Sequence, residues 1–153
     1  MTTADLMRMG AIYFSQIKEG LNQYQNEMLV MSQKDAWQYF QNEIVQYGAS
    51  NSFADFYYFR LEEDAKKRVD LVLSEKEREF LCEMQPKENF EENIIFPLND
   101  QLLKIIVKLN DMEMLFSTIY FVGSGEQSSV TYWGNYNYEY IRFSNMTFEF
   151  IEK

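Results

Sequence analysis

Beyond residue 112 the sequence breaks into short aromatic and β-branched runs punctuated by turn residues, and no other feature restricts the fold as much. "EMLFSTIYFVG", "SVTYWG", "YEYIRFS" and "MTFEFIE" have the length and residue types of strands, while "SGEQS" and "NYN" supply a loop and a tight turn between them. Connections this short join antiparallel neighbours, so the last third is expected to form an antiparallel meander. Such a sheet needs an apolar layer against at least one face.

The preceding residues supply that layer. Leu6, Met9, Tyr13, Ile17, Leu21, Tyr24, Met28 and Met31 recur in steps of three and four, which predicts one long helix opened by a Thr2–Asp5 capping box. Gly10 and Gly20 fall inside it, each costing about 1 kcal/mol relative to Ala, and mark a bend or a close contact rather than an end. Ser32 and Asp35 open a second helix with Ala36, Trp37, Phe40, Ile44 and Tyr47 on its apolar side, stopped by Gly48. The two would pair as a hairpin, with Met7, Met9, Met28 and Met31 filling gaps in its core.

"SFADFYYFRLEEDAKKRVDLVL" has helical spacing from Phe53 to Val72 and favourable Glu62–Lys66 and Glu63–Lys67 pairs, although "DFYYFRL" and "RVDLVL" have strand composition. A helix is the expectation. Ser74 and Glu77 form a capping box for "EKEREFLCEM", which Pro86 ends, and "KENFEEN" reads as an acidic loop. Pro97 restricts "IIFPL" to an edge or a strand end. Asn99 then caps a helix that turns Leu102, Leu103, Ile106, Val107 and Leu109 inward. The sum is a single α+β domain over residues 1–153, with a helical layer from about residue 3 to 85 packed on a strand-rich part from about 93 to 152.

The available chemistry is narrow. Histidine is absent, which removes the commonest general base and metal ligand, and a single Cys82 cannot build a zinc site or an internal disulfide. No glycine-rich phosphate loop occurs. No cofactor, metal or catalytic residue is therefore expected, and the protein is expected not to be an enzyme. Carboxylates alone leave a magnesium-dependent or glycosidase-type reaction open, the densest groups being Glu62, Glu63 and Asp64, and Glu88, Glu91 and Glu92. Acidic neighbours disfavour the thiolate of Cys82, which reads as an inert buried thiol.

No secretory signal opens the chain and no apolar run reaches a membrane span, so the cytoplasm is the expected compartment. The net charge of −10 argues against nucleic acid and anionic membranes as partners. The surplus is uneven: residues 52–100 carry 13 acids against 7 bases, which is −6 of the total. That region either solvates the protein or attracts a basic partner, with Glu88, Glu91 and Glu92 as the candidate contacts.

"TYWGNYNYEYIRF", residues 131–143, carries the densest aromatic content. Strand alternation puts Tyr136, Tyr138 and Tyr140 on one side and Ile141 and Phe143 on the other. A two-layer domain buries only one of these faces, so the rings of Tyr132, Trp133, Tyr136, Tyr138 and Tyr140 either pack across strands or form a recognition surface.

"MLFSTIYF" followed by "VTYWGNYNYEYIRF", within residues 94–143, resembles the C-terminal hairpins of small acidic bacterial immunity-type proteins encoded beside polymorphic toxins. The resemblance implies a cytoplasmic inhibitor of a basic toxin domain and transfers no catalytic residue. The leading expectation is thus a non-enzymatic protein-binding module with a basic protein as partner. The alternative is a carbohydrate or small-ligand module that stacks its ligand on Tyr132, Trp133 and Tyr136, and a magnesium-dependent carboxylate enzyme comes third.

Overall fold

The computed structural model describes residues 1–88 and 91–145, so the "MTFEFIE" run and part of "KENFEEN" lie outside the described residues. The described chain forms, in order, α1 (Thr3–Arg8), α2 (Ile17–Gln23), β1 (Gln25–Val30), α3 (Gln33–Tyr47), β2 (Ser52–Asp55), α4 (Glu63–Val72), α5 (Glu75–Met84), β3 (Ile95–Pro97), α6 (Asp100–Asp111), β4 (Thr118–Phe121), β5 (Val130–Gly134) and β6 (Glu139–Ser144). The strands make one sheet in the order β1-β6-β5-β4-β2-β3, with every pairing antiparallel. The α+β class is as the sequence predicts.

The helix signals with side-chain caps are all in place. Thr2 and Ser74 form complete capping boxes with Asp5 and Glu77, Ser32 caps α3 through the Asp35 amide, and Asn99 caps α6 through the Leu102 amide. Gly48 terminates α3. Helix α6 is the centre of the main core: Leu102, Leu103, Ile105, Ile106, Val107 and Leu109 are buried between the sheet and α3. Lys108 on the remaining side donates to Glu77 Oε1 at 2.6 Å and so ties α6 to α5.

The long first helix and the helix hairpin are not formed. Gly10 adopts φ +98°, a conformation that side-chain-bearing residues rarely take, and α1 ends there. Residues 11–14 then run extended across the sheet with Ile12 and Phe14 inward, a period of two inside what reads as a three-four pattern. Thr131 Oγ1 donates to the Ile12 carbonyl at 2.6 Å and Ser129 Oγ to that of Gly10 at 2.9 Å, which fastens this segment to β5. After α2 the chain becomes the edge strand β1, paired with β6 from Gln25↔Ser144 to Val30↔Glu139. Met7, Met9 and Met28 are exposed instead of filling a core, and Met31 is half-buried against the main core.

Residues 53–72 combine both signals the sequence offers. Ser52–Asp55 is a buried strand, Tyr58–Arg60 a single 3₁₀ turn, and only Glu63–Val72 is helical. Pairing of Ala54 with both Phe96 and Ile119 outweighs local helix spacing here, and the pair strengths of Glu62–Lys66 and Glu63–Lys67 are small by comparison. Pro97 ends an edge strand, and Met1 exchanges two backbone hydrogen bonds with Ile95 on its outer side.

Two faces of the sheet are covered, not one. Ala54, Phe96, Ile119, Phe121, Tyr132 and Tyr140 point to α3 and α6. Phe53, Tyr120, Phe143 and Trp133 point to the N-terminal segment, where Leu6, Ile12 and Phe14 pack on them. The third layer is made by residues 1–24 rather than by a helix hairpin.

Candidate functional site

The N-terminal layer does not seal the sheet beneath it. Between Tyr13, Phe14 and Ser15 on one side and strands β2, β4 and β5 on the other lies a cleft of about 250 Å³. Asp55, Thr118, Trp133 and Gly134 reach it from the strands, and Tyr57, Phe116 and Asn135 from the connections beside them. Phe14 stacks on Trp133 at 5.7 Å and meets Phe143 edge-on at 4.7 Å. The ring of Phe14 also rests against α2, where a Cβ on Gly20 would come within 2.5 Å of it, so glycine there makes room for this wall of the cleft.

Asp55 is the unusual member. It is 7% exposed, its Oδ1 accepts the Thr118 amide N–H at 2.7 Å, and no Lys or Arg lines the cleft among the described residues. Burial pushes its pKa up to about 7, against the opposing effect of the hydrogen bonds from Thr118. Burial and then the Asp55 charge push the neighbouring Tyr57 up to about 12, and Tyr120 is raised for the same two reasons in the same order. Arg60 lies over the Tyr57 ring, 5.6 Å from its centroid. Beside Asp55, Ser117 is 3% exposed and its hydroxyl has no hydrogen-bond partner, although its backbone N–H donates to Asn110 Oδ1 at 3.2 Å. A buried carboxyl poised near neutrality in an aromatic-walled cleft makes this the candidate functional site.

The residues expected to act together occupy four separate places. Tyr132 and Tyr140 are core. The Tyr132 hydroxyl donates to Glu43 Oε2 at 2.7 Å and receives the Tyr39 hydroxyl at 2.7 Å and Arg142 Nε at 3.3 Å. Burial first, and then its bonds to Tyr39 and Glu43, hold the Tyr132 phenol far above its ordinary range. Tyr140 packs edge-on against Phe40 and accepts from Asn110 Nδ2 at 3.2 Å. Trp133, one residue out of phase with Tyr132, faces the cleft.

Tyr136 and Tyr138 are not on a strand with Tyr140. They sit in the β5–β6 turn, 58% and 50% exposed, where Asn137 and Tyr138 both have positive φ, +62° and +61°, and Glu139 N–H donates to the Tyr136 carbonyl. Two consecutive positive φ values at the centre of a two-strand connection are those of a type I′ turn, whose second position is ordinarily Gly. Tyr138 shares a shallow hollow with Val30 and Lys34, and Val30 and Met28 expose their side chains on β1, the end strand of the sheet among the described residues.

Glu88, Glu91 and Glu92 are exposed in the connection before β3, at the opposite edge of the sheet from β1. They form no common surface with the turn tyrosines. Cys82 is exposed on α5 among Glu75, Arg78, Glu79 and Glu83, not buried as its apolar neighbours Phe80 and Leu81 suggested. No cluster of three acidic or cysteine side chains among the described residues is arranged to hold a metal ion, and none of the described helices is long and apolar enough to cross a membrane.

Asp55 and Ser117 escaped the sequence reading. The available signal was Asp55 itself, the one charge in "SFADFYYF", which stands out only if that run is read as a buried strand. Compared with known proteins, the chain matches no family model, no curated protein and no solved structure.

Proposed function

We propose that this protein is a non-enzymatic binding module that docks a basic protein through the β5–β6 turn and the adjoining edge of β1. The observation that carries this reading is Tyr138. A bulky residue in the left-handed region costs on the order of 1 kcal/mol where Gly would cost nothing, and here the side chain so held is half exposed beside Val30, at 69% exposed, and Tyr136. Folding alone gains little from that ring, whereas an interface gains an aromatic anchor. Among the described residues β1 pairs with β6 alone, which leaves backbone hydrogen-bonding groups along the same edge for a partner. The net charge of −10 favours encounter with a positive surface, Glu88, Glu91 and Glu92 acting at long range rather than as contacts. In its most concrete form the module is a cytoplasmic immunity-type inhibitor of a basic toxin domain.

Tyr138→Gly together with Tyr136→Ala tests this. The double variant is expected to be as stable as the parent or about 1 kcal/mol more stable, because Gly relieves the turn. Its binding to the partner should fall by at least about tenfold, in line with loss of an anchor. Affinity capture from the native host with wild type and variant identifies candidates, and co-expression with each basic candidate reads neutralisation of its toxicity. A partner that is neutralised equally by both forms would place recognition elsewhere.

A further inference from the structure

We propose that the cleft between the N-terminal segment and strands β2, β4 and β5 binds a small organic ammonium cation, with Asp55 pairing with its N–H groups and the aromatic rings enclosing its alkyl part. The inference stands whether or not the turn docks a protein. Its ground is a mismatch of charge: Asp55 is a buried lining residue of the cleft whose hydrogen bonds come from the Thr118 amide, at 2.7 Å, and the Thr118 side chain, both neutral donors, and no basic side chain lines the space among the described residues. A buried carboxylate so placed is costly until a cation arrives. Anionic ligands are disfavoured by the same carboxylate.

The walls specify what kind of cation. Phe14, Tyr57, Phe116, Tyr120 and Trp133 present rings to the space, and ring faces attract an alkylammonium by cation–π contact while sheltering its carbons. A hydrated metal ion gains little from such walls, and the described residues bring no second carboxylate to the cleft. Neutral polar residues, Ser15, Ser117, Thr118, Asn135 and the tyrosines Tyr13, Tyr57 and Tyr120, also line the cleft, but Asp55 is the one charged side chain among its described lining residues, and it selects for a cation. The volume of about 250 Å³ equals that of about eight waters at ~30 Å³ each, so the guest is a short chain. The titratable groups facing Asp55 are the phenols of Tyr13 on the N-terminal segment, Tyr57 after β2 and Tyr120 on β4, none of which supplies a positive charge.

A free amine and the lysine side chain of a docked protein share this chemistry, and the test separates them. Butylammonium chloride is titrated into the full chain at about pH 8, where Asp55 is ionised, with calorimetry and Trp133 fluorescence in a Trp37→Phe background as readouts. Saturable binding below about 10 mM is expected, with butan-1-ol, the same chain without the charge, at least about tenfold weaker. Asp55→Asn, which keeps an acceptor for the Thr118 amide, should weaken butylammonium by at least about tenfold as well. Nα-acetyl-lysine N-methylamide binding as tightly as butylammonium assigns the site to a protein side chain, and its exclusion assigns it to a free amine. Absence of saturable butylammonium binding overturns the proposal. Equal binding of butanol overturns it too, and that comparison needs no variant to fold.

Discussion

Replacing Asp55 by Asn should make the protein more stable at neutral pH and remove one whole component of its pH dependence. The folded-state pKa of Asp55 is about 7 against an ordinary 3.8, so between those values the folded chain holds a proton that the unfolded chain has lost. Stability from this group is therefore fully present below about pH 4, declines as pH rises, and is gone above about pH 7. The difference of about three units corresponds to about 4 kcal/mol at 1.36 kcal/mol per unit. Asn cannot ionise, and its carbonyl can still accept the Thr118 amide N–H that Oδ1 now receives at 2.7 Å. Urea unfolding of both proteins at intervals from about pH 4 to 8 gives the two stability curves. Their difference isolates Asp55, because the other carboxylates titrate alike in both. The variant should match wild type near pH 4 and exceed it by up to about 4 kcal/mol near pH 8. Parallel curves, or a wild type that gains on the variant as pH rises, would show that Asp55 is not held desolvated without a cationic partner and would remove the basis for an ammonium site.

Gly20→Ala should lower stability by about 1–3 kcal/mol, read by urea titration, because the new methyl meets the Phe14 ring at 2.5 Å; Trp133 fluorescence should shift as the stacked ring moves. Tyr132→Ala should cost about 3–5 kcal/mol as a buried aromatic, whereas Tyr136→Ala should stay within about 0.5 kcal/mol of wild type. Equal losses at the two positions would contradict the separation of core and surface rings.

The sequence was legible where local chemistry decides structure. Capping boxes at Thr2–Asp5 and Ser74–Glu77 and the caps at Ser32 and Asn99 rest on hydrogen bonds spanning three residues, so the pattern names the element. The strands β4, β5 and β6 and the edge position of Pro97 followed from composition for the same reason. Within the expected first helix, Ile17–Gln23 is helical, whereas residues 11–14 and 25–30 are not, because their partners are more than a hundred residues away: Thr131 fixes Ile12 and β6 recruits Gln25–Val30, and no local periodicity carries that information. The site suffered twice from this. Reading Phe53–Val72 as helix hid Asp55 from view, and extending the last strand back to Tyr136 assigned the turn tyrosines a phase that the positive φ of Asn137 and Tyr138 breaks.

The cleft and the turn meet at Tyr136, whose N–H donates to Oδ1 of the cleft residue Asn135 at 2.8 Å. The Tyr136 ring packs edge-on against Phe116 at 4.8 Å, and Phe116 lines the cleft. A protein seated on Tyr136 therefore bears on a ring that packs against a wall of the ammonium site, and an ammonium in the cleft bears on the ring that supports Tyr136. We propose that this ring pair couples the two ligands, in which case the factor by which one changes the affinity of the other is the same in both directions. Partner affinity measured with and without saturating butylammonium should differ by about fivefold or more, with the reciprocal change in butylammonium affinity for the complex. If the amine arrives as a lysine of the partner itself, the change is competition, and Asp55→Asn weakens the protein complex as well. An unchanged partner affinity, with butylammonium bound, would mean that Phe116 transmits nothing and that turn and cleft work separately.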